Sequence, residues 1–248
     1  MARGGPITRV PPDEEIAALV PAESMSAQQR DNPLAQYFLR NQGRLLWKWH
    51  HYFEVYHRHF ERFRGKSPVI LEIGVFHGGS LQMWREYFGK GTKIVGIDVD
   101  PRCKQFEDDA TTILIGDQSD PVFLADVRRR FPRIDIVIDD GGHRMEQQIV
   151  SFGELYHHLQ PDGVYLCEDV HSSYMERWGG GLRRPDTFIE FTKALIDGLH
   201  AWFHLPAGSE VDEFALGTYS IAFYDSIVVI EKRPVGQPRV SLTGKRSF

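Results

Sequence analysis

Apolar and polar positions along this 248-residue chain change their period several times, and each change marks an element. Leu45, Trp49, Tyr52, Phe53, Tyr56, Phe60 and Phe63 recur at spacings of three and four, the period of an amphipathic helix. Residues 33–66 therefore read as an aromatic helical segment, which packs against a sheet or a neighbouring subunit rather than walling a substrate site. His50, His51, His57 and His59 fall around that helix and read as packing or surface histidines. Short apolar runs of strand length follow at 69–73, 93–97, 112–115, 134–138 and 164–167, with helical patterns between them. Buried strands alternating with helices predict an α/β, Rossmann-like, doubly wound and mostly parallel sheet. Two β-rich runs around Asp225-Ser226 add a C-terminal antiparallel hairpin at the sheet edge.

The boundaries follow from the same pattern. Residues 1–32 are rich in Pro, Gly, Ser and charge, with an apolar patch only at 16–20, and read as an N-terminal arm. The main domain runs over 67–234, and 235–248 is a polar tail. Within the domain, 171–185 has no period and contains Gly179-Gly180-Gly181, so it reads as a mobile lid; Asp186 then caps a helix striped with Phe188, Phe191, Leu195 and Leu199.

A chain that is 42% hydrophobic and 25% charged can bury the core of one large domain. Its net charge of −5 argues against nucleic acid as a partner, since phosphate binding needs a basic face. Two cysteines, Cys103 and Cys167, argue against a disulfide framework and for a reducing compartment. No apolar run suits a signal peptide or a membrane span, so the expectation is a cytoplasmic protein without a membrane partner. The apolar surface of the aromatic segment and the arm suggests a homo-oligomer.

The chemistry gathers where apolar runs stop. In an open α/β sheet, ligands bind beyond the carboxyl ends of the strands. The run at 134–138 ends in Asp139-Asp140-Gly141-Gly142-His143, the next ends in Glu168-Asp169, and an earlier one in Asp98. Gly74, Gly78 and Gly79 form a strand-to-helix turn that a ligand can approach closely, without the G-x-G-x-x-G spacing of a dinucleotide fingerprint. Asp98, roughly twenty residues on, suits a ribose acceptor. Asp117 and Gln118 either hydrogen-bond an adenine or merely terminate a strand and cap the following helix. Successive strand residues point to opposite faces, so Asp139 and Asp140 should serve different partners; Glu168 and Asp169 can share one ion only if the backbone is already turning there.

Glu72-Ile73-Gly74-Val75 through Gly78-Gly79-Ser80, Gly96-Ile97-Asp98, Gly116-Asp117-Gln118-Ser119-Asp120, Ile138-Asp139-Asp140-Gly141-Gly142-His143 and Glu168-Asp169 together resemble class I S-adenosylmethionine-dependent methyltransferases. More narrowly, residues 69–204 resemble the metal-dependent sugar O-methyltransferases of macrolide biosynthesis, the mycinamicin and macrocin type, and their cephalosporin hydroxylase relatives. The resemblance implies S-adenosylmethionine near Glu72, Gly74, Ser80, Asp98, Asp117, Gln118 and Asp139. It implies Mg²⁺ on Asp140, Glu168 and Asp169, with His143 and Asp140 catalytic and His143 as general base. The acceptor it implies is a glycosylated small molecule, methylated on a deoxysugar such as rhamnose. Tyr174 and Trp178 either stack on an apolar sugar face or are aromatics that anchor the lid itself, and Met175-Glu176-Arg177 stands where many members carry Trp-Pro and an aromatic. Three carboxylates in one crevice repel one another, and a hard cation resolves that conflict. The alternatives are a hydroxylase-like reaction on the same scaffold and a non-catalytic cofactor-binding partner protein.

Overall fold

A computed structural model describes residues 24–206 and 208–248. The apolar patch at 16–20, with most of the expected arm, lies outside the described residues. Among the described residues seven strands form one sheet, in the order β3-β2-β1-β4-β5-β7-β6. These are β1 (Val69–Ile73), β2 (Lys93–Asp98), β3 (Thr111–Ile115), β4 (Ile136–Asp139), β5 (Val164–Cys167), β6 (Thr218–Tyr224) and β7 (Ile227–Lys232). The first five are parallel; β7 runs antiparallel to β5 and turns back on β6 through Asp225-Ser226, the expected hairpin. The helices are α1 (Ala27–Arg30), α2 (Pro33–Arg40), α3 (Tyr52–Phe60), α4 (Gly79–Phe88), α5 (Pro121–Arg130), α6 (Met145–Leu155), α7 (Phe188–Leu199), α8 (Ala201–His204) and α9 (Glu213–Gly217).

Strand alternation sorts the core into two layers. Ile70, Ile94, Ile113, Ile136, Ile138, Val164 and Leu166 face α2, α3 and α4; Leu71, Val95, Leu114, Val137, Tyr165 and Cys167 face α5, α6 and α7. The aromatic segment packs as expected, with Tyr56 and Phe60 edge-on to the fully buried Trp84 of α4. His57 bonds the Tyr87 hydroxyl and His59 meets Glu231 and Tyr224, so both are packing residues.

The aromatic helix is shorter than its period predicts: α3 begins at Tyr52, and residues 41–49 form a strap without helix. Along the strap burial alternates, with Leu46 and Lys48 turned inward while Leu45, Trp47 and Trp49 face out. That is the period of extended chain, not of a helix. The strap is held by tertiary contacts. Arg44 N–H donates to Gln82 Oε1 at 2.9 Å, its guanidinium lies 4.5 Å from the Phe106 ring centre, and a Cβ at Gly79 would come within 2.2 Å of the Leu45 carbonyl oxygen.

Residues 171–185 also depart from expectation. They are wound into 3₁₀ turns at Val170–Tyr174 and Glu176–Trp178, with Ser172 and Ser173 buried and Gly181 N–H bonded to the Ser173 carbonyl. Gly180 packs so closely on this backbone that a Cβ there would lie 2.4 Å from the Ser172 oxygen. The cap of α7 is Thr187, which accepts from Glu190 N–H; Asp186 instead pairs with Arg184. A hydroxyl one residue later in sequence meets the geometric need of the helix start.

Glu72 of β1 is fully buried, accepts from Trp84 Nε1 at 3.1 Å, and has its carboxyl pushed up to about 7 by burial, against the attraction of Lys48. An acid whose folded pKa is raised binds its proton more tightly folded than unfolded. Its ionisation therefore lowers stability as pH rises from about 4.5 to about 7. Glu72→Gln should lack that decline, so its stability relative to wild type should improve by up to about 3 kcal/mol across this window. Denaturant unfolding at a series of pH values measures it, and a constant difference would reject the assignment. Trp84→Ala, which empties the middle of the aromatic cluster, should cost about 3–5 kcal/mol in the same assay.

Candidate active site

The carboxyl ends of β1, β2, β4 and β5 open onto a cavity of about 660 Å³, within the range of small-molecule sites. At the end of β1 the chain leaves the sheet through Gly74, at φ +90°, where a Cβ would lie 2.0 Å from the Asp140 carbonyl oxygen. Only glycine meets both demands. On the β2 side, Asp98 Oδ2 accepts from Val75 and Phe76 N–H at 2.9 and 3.0 Å, which fixes the glycine turn, and Oδ1 accepts from Asp100 N–H. Gln118 presents its Oε1 to Gly142 N–H at 2.7 Å and donates through Nε2 to Asp139 at 2.9 Å. Gly74, Asp98 and Gln118 line the cavity.

Of the four other cofactor candidates, Asp139, Glu72 and Ser80 stand behind that wall and Asp117 is exposed. Asp139 is buried beneath Gln118 and Tyr165, both of which donate to it, and burial pushes its carboxyl up to about 6 against those bonds. Glu72 of β1 and Ser80 in the first turn of α4 are buried together. Asp117 accepts from Ser119 N–H and hydroxyl at 2.8 Å and so closes a local turn, the capping reading of that residue. None of the four lines the cavity. Cys103 does, but burial and the neighbouring Asp98 push its thiol up to about 12, unsuited to nucleophilic work.

On the β4 side, Asp139 and Asp140 diverge as strand geometry requires. Asp140, His143 and Asp169 bring ligand atoms within 4.8 Å of one another. His143 Nε2 lies 4.0 Å from Asp140 Oδ1 and 3.6 Å from Asp169 Oδ2. Its backbone sits at φ +56° after two glycines, and its ring meets Trp178 edge-on at 5.9 Å. The strand has ended at Cys167 and Asp169 adopts φ +52°, so the backbone is turning where the sequence required it to turn.

That turn sends the two neighbouring acids apart. Asp169 accepts from the Tyr52 hydroxyl at 2.6 Å and faces His143. Glu168 is buried, and its Oε2 accepts from Lys48 Nζ at 2.8 Å. Lys48 also donates to Asp140 Oδ2, so one ammonium bridges two strand ends. Burial works against the Lys48 charge, but Asp140, Glu168 and Glu72 outweigh it and hold its pKa above the ordinary range. Burial and the Asp140 charge push Glu168 well up, with Lys48 opposing. Among the described residues Glu168 Oε1 and His143 Nδ1 are buried without hydrogen-bond partners.

The donor set of carboxylate oxygens and one imidazole, with no thiolate, fits a hard divalent cation. Of the residues expected to hold it, Asp140 and Asp169 converge with His143, whereas Glu168 is turned to Lys48. Tyr174 and Trp178 do not line the cavity; its aromatic wall comes from Trp47, Trp49 and Tyr52. Those three and Lys48 were masked by the helical period assigned to 45–63, although the alternation over 45–50 was a usable signal.

Residues 71–170 match the family of methyltransferase domains. Over 218 residues the chain is 35% identical to 8-demethyl-8-alpha-L-rhamnosyl tetracenomycin-C 2'-O-methyltransferase of Streptomyces olivaceus, a match spanning 84% of this chain and 57% of that protein. It is 34% identical to demethylmacrocin O-methyltransferase of Streptomyces fradiae, across 75% of this chain and 48% of the relative. The chain thus spans about half the length of the curated relatives it matches. Among solved structures it is similar to MycE methyltransferase from the mycinamycin biosynthetic pathway in complex with Mg, SAH and mycinamycin VI. The TM-score is 0.70 at 28% identity, over 89% of this chain and 60% of that one. No helix among the described residues is long and apolar enough to cross a membrane. The sheet order, the converging strand ends and these matches identify residues 71–170 as a methyltransferase domain and give the folded body the class I methyltransferase fold.

Proposed function

We propose that the protein is an S-adenosylmethionine- and Mg²⁺-dependent O-methyltransferase acting on a sugar hydroxyl of a secondary metabolite, a deoxysugar such as rhamnose. The observation that carries this reading is the gathering of Asp140, His143 and Asp169 on one side of a cavity whose other side is the Gly74 turn with Asp98. The named relatives act on rhamnosyl tetracenomycin and demethylmacrocin, which supports the acceptor class.

In this reading the donor lies along the β1 and β2 ends. Gly74 lets it approach the backbone, Asp98 offers carboxylate oxygens to its ribose, and Gln118 offers an amide to its base. Asp139, Glu72 and Ser80 support that surface from behind. Asp140, Asp169 and Glu168 are the residues that would hold Mg²⁺, which supplies positive charge beside the acceptor oxygen and so acidifies its hydroxyl. His143 Nε2 takes the hydroxyl proton, and Asp169 at 3.6 Å gives the protonated ring an ion-pair partner. The oxygen lone pair forms the new C–O bond as the C–S bond breaks, leaving a methyl ether and S-adenosylhomocysteine. Positioning supplies most of the acceleration, and the edge of Trp178 keeps the His143 ring in place.

His143→Ala should lower methyl transfer to a rhamnosylated polyketide about 10²- to 10⁴-fold, the usual worth of a positioned proton acceptor, while donor binding is retained. Full activity in this variant would remove His143 from the chemistry. Calorimetric titration of chelator-treated protein separates the two halves of the site: Asp140→Ala should bind S-adenosylmethionine but lose Mg²⁺. If wild type fails to bind S-adenosylmethionine, the reading is wrong from its first step.

A further inference from the structure

Lys48 is a buried charged group of the cavity that the proposed chemistry does not use. Its side chain is 4% exposed, and its ammonium bonds Asp140 Oδ2 and Glu168 Oε2 together. It is carried by the strap, between Trp47 and Trp49, which face the other way and line the cavity. An alternating segment with an ammonium inward and two indoles outward couples two surfaces: whatever moves the lysine moves the tryptophans.

Resting on the function proposed above, we propose that Lys48 is a built-in counter-cation that a divalent ion displaces, so that ion binding releases the strap and resets the cavity wall formed by Trp47 and Trp49. Two lines of geometry support this. A cation shared by Asp140 Oδ2 and Glu168 Oε2 must use the space between those oxygens, where Nζ already lies. Glu168, which faces Lys48 rather than Asp169, can join Asp140 and Asp169 around an ion only when that ammonium leaves. The strap is suited to yield. Besides Lys48, its anchors are the Arg44 contacts with Gln82 and Phe106, the Asn41 bond to the Arg44 carbonyl, the Leu45 carbonyl against Gly79 and the half-buried Leu46, all of them before Trp47. The exchange leaves the carboxylates compensated, because the divalent ion brings one more positive charge than the ammonium it replaces beside three acids whose repulsion a cation relieves. The ion would then bind before the acceptor, since the indoles reach their working positions only once the strap is free.

The test uses the full chain after chelator treatment. Trypsin cleaves after lysine, so the bond between Lys48 and Trp49 reports release of the strap directly in wild type. It should resist cleavage without added ion and be cut several-fold faster with Mg²⁺, the site being located by mass spectrometry. In parallel, calorimetry on Lys48→Met should find Mg²⁺ bound at least about tenfold more tightly than by wild type, because a competing buried cation is gone. Equal or weaker Mg²⁺ affinity in a Lys48→Met protein that still binds S-adenosylmethionine would overturn the proposal. So would unchanged or stronger protection of the Lys48-Trp49 bond on adding Mg²⁺ to wild type. Either result leaves the methyltransferase reading standing. Absence of Mg²⁺ binding to both proteins would instead overturn the metal assignment and this proposal with it.

Discussion

A single ammonium, that of Lys48, neutralises carboxylates from three strands. Asp140 follows β4, Glu168 follows β5, and Glu72 lies buried in β1. Removing one partner of a buried ion pair usually costs about 3–5 kcal/mol, because the remaining charge is left without compensation. The lysine therefore constrains residues far apart in sequence: the strap can be neither helical nor detached without exposing or stranding these acids. It also explains why adjacent Glu168 and Asp169 serve different neighbours. The left-handed turn at Asp169 lets one acid point under the strap and the other across to His143.

Behind this contact stands a relay of ordinary packing. Tyr56 and Phe60 of α3 hold Trp84 edge-on, Trp84 donates to Glu72, and Glu72 adds to the negative field around Lys48. The aromatic layer is thus both core and support for the site. Burial alone would favour neutral Glu72, and the indole donor and the ammonium both work in the opposite direction.

Much of this was readable in the sequence, because the signals were local. The even and odd residues of 70–73 and 136–138 sort onto opposite faces as alternation requires, and Gly74, Asp98, Asp140, Gly141, Gly142, Glu168 and Asp169 at the strand ends surround one cavity. What was not readable depends on partners distant in the chain. Leu45, Trp49 and Tyr52 fit a helical period while residues 45–50 also fit an extended one, and short apolar runs do not decide between them. Carboxylates at 140 and 168 and the close approach to Gly79 decide it for the strap. Motif matching likewise groups Glu72, Ser80, Asp117 and Asp139 with Asp98, but it does not see depth. Of these, Glu72, Ser80 and Asp139 brace the wall that Gly74, Asp98 and Gln118 present, while Asp117 is exposed.

Depth also separates the conserving and the adaptable parts of such a site on physical grounds. The β1, β2, β4 and β5 ends are fixed by ladders on both sides, so groups on them keep their geometry whatever ligand arrives. The strap is covered from one side only, and its two indoles are each 36% exposed. Changes at Trp47 and Trp49 leave the ladders intact, whereas changes at Asp139 or Gln118 disturb the surface on which the donor would rest. Acceptor choice is therefore best sought on the strap, and the chemistry on the sheet. Lys48 is the point at which the two are joined.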